Sequence, residues 1–243
     1  MNNKPYYYAY EERYQRVYSA GVDFWGHNPN DEELTKVLTN WVNEHQLAGK
    51  KVIEFACGEG AAGVILSRLG CIYHGVDISP TAVEKAKSIL APFPNAIVEL
   101  CDMVNQAIDS KYDAALDIMG LHMIVLDQDR RRYLQNAFNC LKSNAPMLFY
   151  RESFRVDAFE GEITTFEEWV SITKSDYVTP AKRVVQNGDK EIEVFIPLVP
   201  ARAKTKAGYI NELTAAGFVV QHFQEMDYNE QNPFSATLYV YKP

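Results

Sequence analysis

Residues 52–63 read VIEFACGEGAAG. The apolar opening reads as a short buried strand, and GEGAAG at 58–63 fits the pattern G-x-G-x-x-G on the way into a helix, AAGVILSRL. Glycines at such a turn let the backbone come close to a ligand, and the N–H groups of the following helix point at it. A tight structural turn can carry the same letters, so the neighbours decide what the loop serves.

Outward from this loop, strands and helices alternate. Upstream, DEELTKVLTNWVNEHQL (31–47) places Leu34, Val37, Leu38, Trp41 and Val42 on one helical face, with Asn30 and Glu33 as the expected capping pair and Gly49 as the stop. Downstream, CIYHGVD is a second strand, and Ser79-Pro80 opens the helix TAVEKAKSIL. AIVELCD, YDAALDIMG and PMLFY are further strands, and DQDRRRYLQNAFNCLK is a helix with Tyr133, Leu134, Ala137, Phe138 and Leu141 inward. KTKAGYINELTAAGF is a helix ending at Gly217, and VVQHFQEMDY and FSATLYVY close the chain across a loop holding Pro233. This rhythm predicts an α/β fold: a doubly wound, mostly parallel seven-stranded sheet with an antiparallel edge strand.

Residues 151–203 are too many for a plain connection. They hold a short helix, TTFEEWVSI, with Thr165 and Glu168 at capping-box spacing, and a hairpin signal at Asn187-Gly188. The expected organisation is an aromatic lid or helix over 1–30, a ligand-binding core over 31–150, an inserted α+β substrate cap over 151–203, and a helix with closing strands over 204–243.

The chain has 243 residues, 24 basic against 32 acidic, and a formal charge of −8. That balance disfavours a nucleic-acid partner, which calls for clustered cations. The dense basic run Arg130-Arg131-Arg132 reads as a solvated helix face. Cys57, Cys71, Cys101 and Cys140 form no C-x-x-C pair and read as reduced thiols. The N-terminus has no apolar signal region, and no apolar run approaches the roughly 18 residues of a membrane span. A cytoplasmic monomer or homodimer without a membrane partner is expected. His27, His45, His74 and His222 show no metal spacing, so no metal is expected.

A nicotinamide dinucleotide and a sulfonium cofactor both predict an acid such as Asp77 at the end of the second strand, where a carboxylate can accept ribose hydroxyls. Four features separate them. Glu54 lies inside the first strand, where it would repel a pyrophosphate but suit a cationic ligand. Asp102 ends the third strand, the sheet finishes in two strands after an A-A-G-F turn, and about fifty residues precede the first strand.

With these features the sequence resembles the class I S-adenosylmethionine-dependent methyltransferases of small-molecule type. EFACGEG is similar to their first motif, YHGVDISPTAVEKAK to the second, Cys101-Asp102 to the third, and YDAALDIMGLHMI with FNCLKSNAPMLFY to the fourth and fifth. Ala56 stands where the first motif has glycine, and SNAP at 143–146 where Pro-Gly-Gly is usual. The resemblance implies S-adenosylmethionine as cofactor. It implies Glu54 near the ammonium group, the loop from Ala56 through Gly58 to Gly60 against the methionine part, and Asp77 on the ribose. Ile78 would pack on the adenine, Asp102 and Met103 would face its amine, and Asp117 would line the floor between cofactor and substrate. For Asp77 a plain helix-capping role stays open, and for Asp102 and Asp117 plain strand-end solvation does.

The acceptor is expected to be a small molecule methylated at N, O or S, with an amine slightly favoured because tyrosine rings attract cations. Tyr10, Tyr14, Tyr18 and Trp25 are the substrate or lid candidates, with helical packing as the plainer reading. His122 and Glu152 are the candidate catalytic groups, with a core histidine and a surface acid as the alternatives. The rival functions are an NAD(P)-dependent oxidoreductase and a non-catalytic S-adenosylmethionine-binding module.

Overall fold

Parallel strands covered on both faces need mostly apolar side chains, and the central strands have them up to their carboxyl ends, where buried charges begin. The computed structural model describes residues 4–187, 190–226 and 234–243. Among these, seven strands form one sheet: β1 (Lys51–Phe55), β2 (Ile72–Asp77), β3 (Ala96–Leu100), β4 (Ala114–Ile118), β5 (Pro146–Ser153), β8 (Val219–Met226) and β9 (Ser235–Tyr241). Their order is β3-β2-β1-β4-β5-β9-β8. The first five run parallel, and β9 enters antiparallel between β5 and the outer strand β8.

The strand period of two sends alternate residues to opposite faces. Ile53, Phe55, Ala115, Met147 and Phe149 join one core with α5 (Asp127–Cys140) and α7 (Lys206–Ala215). Val52, Leu116, Leu148 and Tyr150 join the other with α2 (Glu32–Glu44), α3 (Ala61–Arg68) and α4 (Pro80–Leu90).

Local sequence sets the helix ends, with two corrections. The N-cap of α2 is Asp31, not Asn30: its carboxylate accepts the Leu34 N–H at 2.9 Å. That helix stops at Glu44, ahead of Gly49, because Gln46 takes a left-handed turn (φ 53°). Ser79 with Pro80 caps α4 as expected, and Thr165 with Glu168 completes the capping box of α6 (Phe166–Thr173).

Arg130 overturns the solvated reading of the basic run. It is fully buried, donates to both Glu212 oxygens at 2.6 and 2.7 Å, and donates to the Leu121 and Ile124 carbonyls at 2.8 Å. Arg131 remains at the surface.

The insertion begins later than expected, because β5 continues to Ser153. Its ends meet where Phe154 pairs with Lys204 in an isolated bridge. It contains α6 and a hairpin of β6 (Ala181–Asn187) and β7 (Lys190–Ile196); the Gly188 turn signal and the Pro233 loop lie outside the described residues. The leader forms a 3-10 turn, Tyr6–Tyr8, and helix α1 (Ala9–Ser19). Val17 and Val22 bury themselves against Val185, Val194 and Ile196 of the hairpin, so leader and insertion make one layer. Among the described residues, no helix is long and apolar enough to cross a membrane.

Candidate functional site

Ligand crevices of such sheets lie beyond the carboxyl ends of the strands, where the order reverses. Here that point is between β1 and β4, both neighbours of the loop 56–60. The loop is strained. Ala56 (φ 53°) after β1, Met119 (φ 60°) after β4 and Arg151 (φ 59°) within β5 all take the left-handed conformation, at about 1–2 kcal/mol each. Strain of this kind gathers at sites that must aim backbone groups. Gly58 (φ 50°) also needs its bare α-carbon, since a Cβ there would sit 2.8 Å from the Tyr14 hydroxyl.

A cavity of about 320 Å³ opens over this loop. Its floor carries Glu54, Ala56, Gly58, Asp77 and Ile78, and Asp102 and Met103 line one side. Tyr10, Arg13, Tyr14 and Trp25 of the leader form the roof, joined by Leu198, Val199 and Ala201 of the insertion.

Tyr6, Tyr7, Tyr10 and Tyr18 of the leader are fastened to separate parts of the rim. The Tyr6 hydroxyl accepts the Val125 N–H at 2.9 Å, and the Tyr7 hydroxyl reaches Asp102 at 3.1 Å. Tyr10 donates to the Pro200 carbonyl at 2.7 Å, and Tyr18 to Glu59 at 2.7 Å. Glu11 accepts from the hydroxyls of Ser79 and Thr81 at 2.6 and 2.7 Å, tying α1 to the start of α4. The leader therefore both packs and roofs the cavity. Tyr18 is directed to the motif loop and is not part of the lining.

The floor is rich in buried acid. Glu54 accepts the Tyr73 hydroxyl and, among the described residues, meets no cation; burial pushes its carboxyl up to about 8. Asp77 accepts the N–H groups of Gly58 and Ser79, both at 2.8 Å, yet burial still lifts it to about 6. It thus organises the loop as well as ending β2, so the capping role and a ligand-facing role coincide. Glu59 is held by the N–H groups of Trp25 (2.9 Å) and Gly26 (3.0 Å), and burial raises it too. A carboxylate unpaired with a cation in a dry site favours its protonated form unless a positive ligand arrives.

Asp117 lies beneath the floor rather than in it. It accepts the Gly120 N–H at 2.6 Å and the Tyr133 hydroxyl at 2.7 Å, and burial with the nearby Glu152 charge raises it well above the usual range. Asp102 is drawn partly into its own turn, accepting the Val104 N–H at 3.0 Å.

His122 sits in a second 3-10 turn, Leu121–Met123, and lines the cavity. Glu152 stands behind it and is fully buried, which corrects the surface reading of that acid. The His122 ring Nδ1 is 2.9 Å from Glu152 Oε2. Ser153 N–H approaches the same Nδ1 at 3.3 Å as a donor, the longer contact that only the other tautomer would keep. With Glu152 ionised, Nδ1 carries the proton and Nε2 keeps the free lone pair. Burial holds the ring neutral, its ionisation lowered to about 4, while burial raises Glu152 to about 7.

Sequence reasoning missed Arg13, Glu59 and His27. Glu59 was hidden as the variable letter of the glycine pattern. His27, fixed by Asp31 at 2.6 Å, lies in a stretch without periodic signal.

The donor chemistry fits a cationic nucleoside cofactor. The glycine cradle, the Asp77 carboxylate and three buried acids suit positive charge, whereas a pyrophosphate would be repelled. Residues 53–147 match the family model described as a methyltransferase domain. The ribosomal protein L11 methyltransferase of Aeromonas hydrophila is 35% identical over 54 residues, 22% of this chain and 18% of that protein. The chain thus matches about a fifth of that relative's length. The 1,6-didemethyltoxoflavin-N1-methyltransferase of Burkholderia thailandensis, solved with S-adenosylhomocysteine, superposes with a TM-score of 0.64 at 15% identity, covering 96% of this chain and 87% of that one. The [4+2]-cyclase SpnF superposes at 0.67 and 13% identity, covering 98% and 97%. These two likenesses establish the fold. The class I methyltransferase resemblance expected from the sequence is borne out by the match of residues 53–147 to a methyltransferase domain and by the shared fold, and S-adenosylmethionine is the cofactor of that class.

Proposed function

We propose that this protein transfers a methyl group from S-adenosylmethionine to a small acceptor that gives up a proton, a hydroxyl being favoured over the amine suggested by tyrosine content. The His122–Glu152 pair on the cavity wall carries this reading, because a neutral amine acceptor needs no base and a hydroxyl does. Glu54, the Gly58–Gly60 loop and Asp77 would hold the cofactor's amino-acid and ribose parts. Ile78, Asp102 and Met103 would flank its base.

When bound, S-adenosylmethionine supplies an electrophilic methyl on a positively charged sulfur, which becomes a neutral thioether once the methyl is taken. The chain does the rest by alignment and dryness. The leader and the insertion exclude water from the rim, and the cavity walls fix the acceptor in line. His122 Nε2 takes the acceptor's proton, and Glu152 steadies the imidazolium that results. The enclosed roof supports a small molecule over a protein side chain as acceptor.

Calorimetric titration with S-adenosylhomocysteine and with NADH tests the cofactor assignment. Low-micromolar binding of the first and none of the second is expected; the reverse restores the oxidoreductase. Formation of S-adenosylhomocysteine across a panel of phenols and alcohols then tests transfer. Cofactor binding with no turnover on any acceptor would favour the non-catalytic module.

A further inference from the structure

One cation in the cavity has, among the described residues, no acid partner. Among the described residues, Arg13 makes no hydrogen bond and no ion pair, and its Nε is buried without an acceptor. Its guanidinium is lodged between two rings, 5.3 Å from the Tyr10 centroid and 4.8 Å from that of Trp25, and it lines the cavity. Aromatic faces hold a guanidinium in place and leave its in-plane donors free. An arginine with a buried Nε, a fixed plane and open donors is built to meet a planar anion in bidentate fashion.

The surroundings add to this. Burial opposes charge on Arg13, and Arg183 of β6 is close enough to oppose it further. The buried arginines among the described residues each have an acid: Arg130 has Glu212, Arg151 has Glu33, and Arg202 has Asp127. The missing acid at Arg13 marks the place of a ligand's acid.

Charge is also unevenly placed in the cavity, acidic on the floor and basic in the roof. Glu54, Glu59 and Asp77 gather on the motif-loop floor, where an anionic group would be repelled. Arg13 is in the roof, beside Tyr10, whose hydroxyl is tied to the insertion at Pro200. Its charge also reaches His122, adding to burial in keeping that ring neutral. The tyrosine-rich roof is thus occupied by the chain's own cation, which leaves it unsuited to a cationic amine.

We propose that Arg13 is a specificity residue for an acceptor bearing a carboxylate, pairing with that group while the acceptor's reacting atom faces His122. The inference rests on the methyltransferase reading above and deepens it.

The test uses the full chain saturated with S-adenosylhomocysteine. Three matched sets of probes are titrated by calorimetry: benzoate, benzamide and benzylamine; the same three groups on a 4-hydroxyphenyl ring; and the same three on a phenylpropyl chain. At least one carboxylate should bind ten-fold or more tightly than its amide and amine. Arg13→Met should abolish that preference while leaving S-adenosylhomocysteine affinity within two-fold, and Arg13→Lys should keep part of it. Amides or amines binding as well as carboxylates in every set would overturn the inference, as would an unchanged preference in Arg13→Met. A ten-fold loss of S-adenosylhomocysteine affinity in Arg13→Met would also overturn it, assigning the arginine to the cofactor's own carboxylate. If the unsubstituted protein does not bind S-adenosylhomocysteine, the methyltransferase reading itself fails, a separate result.

Discussion

Glu152 Oε2 meets one residue twice: it accepts the backbone N–H of His122 at 2.7 Å and, when ionised, the ring Nδ1–H at 2.9 Å. The first contact fixes the turn and the second fixes the ring, so one buried carboxylate sets both position and tautomer. The cofactor-independent geometry therefore already aims Nε2 as a base.

His122→Asn should lower kcat by about 10²–10⁴-fold on a hydroxyl acceptor, the usual span for general-base removal, with little change in S-adenosylhomocysteine affinity. Glu152→Gln should lower kcat less, because His122 stays present but loses its orienting charge. Steady-state kinetics on the best acceptor of the panel check this. Equal kcat in His122→Asn and the parent would remove the base from the mechanism.

Asp77 gives the second prediction. Its two oxygens hold Gly58 N–H and Ser79 N–H, and the residue lines the cavity. Asp77→Ala should therefore weaken S-adenosylhomocysteine by ten-fold or more and also loosen the loop. Asp77→Asn keeps one acceptor and should fall between. Calorimetry reads the affinity, and amide hydrogen exchange over residues 56–60 reads the loop.

The third concerns pH. Folded Glu54 keeps its proton up to about 8, against 4.5 ordinarily. A raised carboxyl favours the folded state below the lower value and loses that advantage as pH climbs through the higher one. Asp77, raised from 3.8 to about 6, acts in the same sense. His122, lowered from 6.5 to about 4, acts oppositely, but only below pH 6.5. Stability of the ligand-free protein should thus fall between pH 6.5 and 8, and Glu54→Gln should flatten the fall in urea denaturation. A cationic ligand reverses the preference by drawing protons off these acids. S-adenosylmethionine affinity should therefore rise over that interval, with proton release, more steeply than that of uncharged-sulfur S-adenosylhomocysteine.

The fold was legible because its cues are local. Buried strands such as Lys51–Phe55, caps such as Ser79-Pro80 and the Thr165–Glu168 box each announce themselves within a few residues. The floor of the site was legible for the same reason, since Glu54, Gly58 and Asp77 end or follow consecutive strands. What joins residues far apart in the chain was not. Glu152 looked like a surface acid until β5 proved long enough to carry it beneath His122. Arg13 is one more letter in EERYQR; only the placement of Tyr10 and Trp25 around it, with no ion pair among the described residues, gives it meaning. The Asn30 cap failed by one position because Asp31 is the stronger acceptor and is fixed by His27.

Arg130 supplies the last prediction, because it was read as solvated and is a clamp. Its two amino groups and Nε serve Glu212 of α7 and the carbonyls of Leu121 and Ile124, which bracket His122. Removing one partner of a buried pair leaves an uncompensated charge and costs about 3–5 kcal/mol, whereas replacing both with apolar groups is often near neutral. Arg130 is fully buried and Glu212 partly exposed, so the charge left by losing Glu212 is the costlier one. Glu212→Gln should therefore destabilise more than Arg130→Met, and the pair Arg130→Met with Glu212→Leu should recover part of the loss in a double-mutant cycle. The two arginine variants share a second effect. With the Leu121 and Ile124 carbonyls released, the turn carrying His122 loses its anchor, so kcat should fall while acceptor KM and S-adenosylhomocysteine affinity hold. A variant that lost stability but kept kcat at low temperature would show that Glu152 alone suffices to aim the ring.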